Sequence, residues 1–71
     1  MTGIGERLKA ARKQRRLRQV DLAKATRVGL ATIRRIEQAN FEPRLATARK
    51  LADALDIPVE WLIFGIENTQ E

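Results

Sequence analysis

Between Leu30 and Gln38 the chain reads LATIRRIEQ, with Arg34, Arg35 and Gln38 carrying planar hydrogen-bonding groups at short spacing. At about 100° per residue, a helix here puts Ile33 and Ile36 on one side. Ala31, Arg34, Arg35 and Gln38 then fall on the other, Thr32 and Glu37 lie on the flanks, and Leu30 sits at the edge of the outer face. Such a face has a specific chemical capacity. A guanidinium forks onto guanine O6 and N7, a carboxamide matches adenine N6 and N7, and small or apolar side chains touch the thymine methyl. An ordinary solvated helix face also has this composition, so the surrounding segments must decide between the two readings.

Other chemistries are poorly served. The chain contains no cysteine and no histidine, which removes disulfides and the common zinc ligand sets. It has no paired nucleophile and base and no glycine-rich phosphate loop. The expectation is a protein that is not an enzyme, with no catalytic residues, no cofactor and no metal.

The elements that must position the outer face follow from apolar spacing and punctuation. Ile4, Leu8 and Ala11 share a face, which predicts a first helix from about Ile4 to Arg15, starting at Thr2 or Gly3. Leu17 packs inward at the turn. Gln19 to Ala25 is a short second helix with Val20, Leu22 and Ala23 inside, and Thr26 to Gly29 breaks it. Gly29 is an acceptable N-cap for the third helix. Ala39 to Pro43 forms a loop, because the residue before proline is pushed out of helical geometry. Leu45, Ala48, Leu51, Ala52 and Leu55 make the stripe of a fourth helix. Pro58 opens a last helix through Phe64, and Gly65 occupies the C-terminal cap position. Five helices with short connections in 71 residues predict an all-α, compact five-helix bundle forming one domain over 1–71, with its core at about 4–65.

Charge is distributed unevenly. Residues 1–27 carry a balance of +7 and residues 28–71 a balance of −2, giving the overall +5. A basic half on a small domain points to a polyanionic partner, or more plainly to a solubilising surface. No apolar run approaches the roughly 18 residues needed to span a bilayer, and the start lacks the apolar block of a secretory signal. The expected location is the cytoplasm, in association with the nucleoid.

The segment LRQVDLAKATRVGLATIRRIE has a short helix, a tight break and a second helix, which is the helix-turn-helix layout, here over about 19–38. Together with IGERLKAAR before it and PRLATARKLADALDIPVEWLIFG after it, the chain resembles the phage repressor/Cro-type (Xre-like) helix-turn-helix family over about residues 4 to 65. The resemblance implies roles. Leu30, Ala31 and Arg35, with Arg34 beside them, would read bases. Gln19, at the start of the second helix, would bind a DNA phosphate, and Thr32, Gln38, Asn40 and Arg44 would join it. Arg12 and Glu37 match a family ion pair joining the first and third helices. Arg27, Gly29, Ala39 and Arg44 depart from the family's usual glycine, serine or threonine, glycine and serine. These departures make Arg27 and Arg44 extra phosphate candidates, and Arg18, beside Gln19, is another.

Trp61 is expected in the core. Ile57, Val59, Ile63, Phe64 and Ile66 exceed what a small bundle needs to bury, and the resemblance supports a homodimer interface there. The implied function is sequence-specific binding of double-stranded DNA by a homodimeric transcriptional regulator, a repressor by family habit, with helix 30–38 in the major groove of an inverted-repeat operator. Two alternatives stand beside it. One is an antitoxin-like interaction module, disfavoured because little chain remains after the bundle to cover a toxin partner. The other is the DNA-binding domain of a longer regulator.

Overall fold

The computed structural model describes residues 3–66. It contains α1 (Ile4–Gln14), α2 (Gln19–Thr26), α3 (Leu30–Ala39), α4 (Leu45–Leu55) and α5 (Val59–Phe64), and no strand among the described residues. Every helix sends at least one large aliphatic side chain to full burial: Leu8 from α1, Leu22 from α2, Ile33 and Ile36 from α3, Leu51 and Leu55 from α4, and Leu62 from α5. Each such burial is worth about 1.5–3 kcal/mol relative to exposure. The core therefore holds all five short helices, none of which is long enough to persist alone. Among the described residues, no helix is long and apolar enough to cross a membrane.

The predicted elements are present with shifted edges. α1 stops at Gln14 and α2 continues through Thr26, whose buried hydroxyl donates to the Leu22 carbonyl at 2.7 Å and accepts from the Val28 N–H at 3.2 Å. A threonine that reads as a breaker is thus satisfied inside the helix end. Ala39 belongs to α3, and Pro58 is the N-cap of α5 rather than its first residue. Two core expectations fail. Leu45 is 52% exposed, because it begins α4 before that helix reaches its neighbours. Val20 is only half-buried and lies outside the core cluster, while Leu22 and Ala23 pack into it or against it. Trp61 is half-buried and packs against the core.

All five helices are followed by a left-handed residue: Arg16, Arg27, Asn40, Asp56 and Gly65. Only Gly65 is free of the Cβ penalty, and a side chain there would also meet the Arg7 guanidinium. Arg7 reaches from α1 to donate through Nε to the Leu62 carbonyl at 3.0 Å and through Nη2 to the Ile63 carbonyl at 2.9 Å. A cation at the last carbonyls of α5 meets the negative end of that helix.

α1 crosses α3 at Gly5, where any Cβ would run into the Ile36 and Glu37 carbonyl oxygens. The Gly5 N–H donates to Asn40 Oδ1 at 2.8 Å. A little further along, Arg12 donates through Nε to Glu37 Oε2 at 2.7 Å and through Nη2 to Glu37 Oε1 at 3.0 Å, with both side chains under 10% exposed. Its Nη1 donates to the Leu17 carbonyl at 2.8 Å, and Gln19 Nε2 donates to Glu37 Oε1 at 2.9 Å. One carboxylate and one guanidinium thus connect α1, the turn before α2, the start of α2, and α3. Among the described residues, no buried side-chain polar atom lacks a partner.

Arg12→Ala strands the Glu37 carboxylate and is expected to lower unfolding free energy by about 3–5 kcal/mol in urea titration. Loss below about 1 kcal/mol, the range of exposed pairs, would contradict this account. Arg27→Gly relieves a left-handed residue and is expected to raise stability by about 1 kcal/mol, the αL cost of about 1–2 kcal/mol less glycine's greater freedom in the unfolded chain. A lower thermal midpoint would contradict it.

Candidate nucleic-acid interface

The outer face of α3 is built from its sequence period. Ile33 and Ile36 are drawn fully into the core, which leaves Ala31, Arg34, Arg35 and Gln38 exposed. Leu30 and Thr32 are half-buried at the edges. Arg34 makes no ion pair among the described residues. Arg35 lies over the Phe41 ring, with its guanidinium carbon 4.2 Å from the ring centroid. The end of α3 is closed by the left-handed Asn40, whose N–H bonds the Ile36 carbonyl at 3.0 Å, and by the Phe41 N–H on the Arg35 carbonyl at 3.3 Å.

The start of α2 stands beside this face through Gln19, whose carboxamide is held on Glu37 of α3. The first bond within α2 runs from the Leu22 N–H to the Arg18 carbonyl. The N–H groups of Gln19, Val20 and Asp21 therefore have no partner within the helix and form its positive end, a geometry suited to an anion. Asp21 occupies part of that end. It accepts from the Arg18 N–H at 2.8 Å and from the Arg18 guanidinium at 3.0 Å through each carboxylate oxygen. These hydrogen bonds and the nearby positive charge hold the Asp21 pKa down to about 2. The same partner raises Arg18 above its ordinary value.

The remaining predicted residues are distributed around the bundle. Arg44 is exposed at the N-cap of α4. Asn40 is exposed, with its side-chain Oδ1 accepting from the Gly5 N–H. Arg27, in the turn between α2 and α3, is exposed and lines a shallow hollow with Thr26, Lys50 and Asp53 on the α4 side. Of the expected dimer residues, Ile57 and Val59 are partly buried and pack against the monomer's own core. Ile63 is half-buried, while Phe64 and Ile66 are 66% and 60% exposed. Ile57 also edges an apolar groove of about 400 Å³ between α1 and α5, with Ala10, Ala11, Gln14, Pro58 and Trp61.

The structure also sorts the cations of the basic half. Arg7 caps α5, Arg12 is buried on Glu37, Arg15 pairs with Asp56 at 3.4 Å, and Arg18 pairs with Asp21. Composition cannot distinguish these bound cations from exposed ones. Phe41 is likewise invisible to helical spacing, because it lies beyond the end of α3 and meets Arg35 only after Asn40 turns the chain back.

A model of the helix-turn-helix family matches residues 8–62. The chain is 43% identical over 72 aligned positions to the HTH-type transcriptional repressor RghR of Bacillus subtilis (strain 168), covering all of this chain and 53% of that protein. It is 37% identical over 60 residues to the immunity repressor protein of Bacillus phage phi105, covering 84% of this chain and 42% of that one. The chain spans about half the length of these curated relatives. Among solved structures, the P22 c2 repressor protein, in complex with the synthetic operator 9T, superposes with a TM-score of 0.85 at 30% identity, over 93% of this chain and 100% of that one.

The Asp21 cap carries a pH signature. Its folded pKa lies below the ordinary 3.8, so its contribution to stability is present above about pH 4 and is lost as pH falls toward about 2. Carboxyl-carbon NMR titration should place Asp21 near 2, and Asp21→Asn should remove this part of the acid dependence of unfolding. An Asp21 midpoint at the ordinary carboxylate value would contradict the cap.

Proposed function

Because the chain belongs to the helix-turn-helix family, we propose that it is a sequence-specific, double-stranded DNA-binding transcriptional repressor of the phage-repressor kind, acting in the cytoplasm on the nucleoid. One observation carries this reading: α3 exposes Arg34, Arg35 and Gln38 around the small Ala31, while its other side is locked to α1 and α2 by buried Ile33 and Ile36 and by Glu37. A rigid helix with bidentate donors outward is what a major groove accepts. A structural neighbour solved on a synthetic operator supports the same assignment.

In this reading Arg34 and Arg35 address guanines, and Leu30 and Ala31 meet thymine methyls. Gln19, Thr32, Gln38, Asn40 and Arg44 grip phosphates on either side. The Gln19 amide has two N–H donors, so it can hold Glu37 with one and offer the other to DNA. Arg18 and Arg27 are weaker members of this set, the first because Asp21 holds it and the second because it lines the α4 side. The protein acts as a homodimer through Ile63, Phe64 and Ile66, with Ile57 contributing at the edge of the α1–α5 groove. Two-fold symmetry then calls for an inverted repeat with half-sites about 34–36 Å apart, and occupancy of such a site represses by excluding polymerase.

Selection from random duplexes tests this directly. A palindromic motif with half-sites about one turn apart is expected, and an enriched pool without any motif would overturn the reading. On the selected duplex, Arg35→Ala should weaken binding by about 1–3 kcal/mol and relax preference at one base pair. Arg44→Ala should weaken all duplexes alike and reduce the slope of log K against log salt by about 1. Equal loss on random DNA for Arg35→Ala would make that residue a backbone contact instead.

A further inference from the structure

We propose that Phe41 is a specificity-determining positioning residue that holds Arg35 in its base-reading orientation, an inference that rests on α3 being the reading helix. Phe41 contributes nothing to the hydrophobic core: it is 38% exposed and stands outside the buried cluster. What it touches is Arg35. The guanidinium carbon lies 4.2 Å from the ring centroid, and the Phe41 N–H bonds the Arg35 carbonyl at 3.3 Å. The same residue thus clasps Arg35 at both backbone and side chain.

The clasp is itself anchored. Asn40 takes the left-handed conformation that brings Phe41 back over the helix end, and its side-chain oxygen receives the Gly5 N–H from α1. Gly5 cannot move away, since it sits at the close crossing of α1 on α3. The ring's position is therefore set by the bundle, and the ring sets the guanidinium. Arg34, one residue earlier on the same helix, is exposed and meets no aromatic ring among the described residues.

Stacking against an aromatic face occupies the flat surface of a guanidinium and leaves its in-plane N–H groups for a bidentate acceptor. A free arginine must lose its rotamer freedom when it forks onto a base. One already stacked has lost most of it before DNA arrives, so the gain appears as affinity for the matching base pair. Arg35 thereby becomes a selective reader, whereas Arg34 remains adaptable.

The test compares the full chain with Phe41→Leu, which keeps an apolar group and removes the π face, and with Phe41→Trp, which keeps the face. Without DNA, the Arg35 side-chain NMR resonances should be shifted by the ring in the wild type and in Phe41→Trp, and lose that shift in Phe41→Leu. On the selected duplex, Phe41→Leu should lose about 2- to 5-fold discrimination at the base pair that Arg35→Ala relaxes, the size expected of an exposed cation–π contact. Other positions and the salt slope should stay unchanged, Phe41→Trp should retain discrimination, and Phe41→Leu should have no effect in an Arg35→Ala background. Unchanged discrimination in Phe41→Leu, or equal loss in the Arg35→Ala background, overturns this inference while leaving the DNA reading intact. A wild type that shows the ring shift but selects no motif overturns both.

Discussion

The structure depends on one buried junction. Arg12 presents Nε and Nη2 to the two oxygens of Glu37, and Gln19 adds a third donor to the same carboxylate. Removing two charges from water is costly, and such a pair is often no more stabilising than aliphatic residues of equal volume. What it supplies here is orientation. The planar fork admits few relative placements of α1 and α3, and the Leu17 carbonyl on Nη1 fixes the turn into α2 as well. An aliphatic junction would hold the helices together without dictating the angle at which α3 leaves the bundle.

That orientation gives the surface its meaning. Ile33 and Ile36 point α3 inward, and Glu37 prevents it from rolling, so Arg34, Arg35 and Gln38 are presented from a rigid base. The cations of the N-terminal half do not contribute equally to an attractive field. Among the described residues, Arg7, Arg12, Arg15 and Arg18 are held by carbonyls or carboxylates. The positive surface free to meet a partner is therefore weighted toward residues outside these contacts, among them the exposed Arg34 and Arg44.

Much of the bundle was legible because short amphipathic helices declare themselves by period. The stripe of Ala48, Leu51, Ala52 and Leu55, the pair Ile33 and Ile36, and the cap at Gly65 all follow from spacing and backbone preference. The errors share a cause. Leu45 and Val20 have the right character for burial, but a helix face is buried only where a neighbour covers it. Ile57 and Val59, which read as surplus apolar residues, are each only partly exposed and pack one side against the core. Left-handed Arg16 and Arg27 could not be read from residue type, because tertiary packing forces a conformation that local preference opposes.

By itself the sequence determined which residues of Leu30 to Gln38 face in and which face out, since helical period is local and needs no partner. It also excluded chemistry requiring cysteine or histidine. Only the tertiary structure decided which arginines are bound and which are exposed, that Gly5 is the point where α1 meets α3, and that Phe41 lies against Arg35. These facts arise between segments whose separation along the chain is unrelated to their distance in space. They depend on how the helices cross, and the crossing is set by a carboxylate and a guanidinium that lie 25 residues apart in the chain.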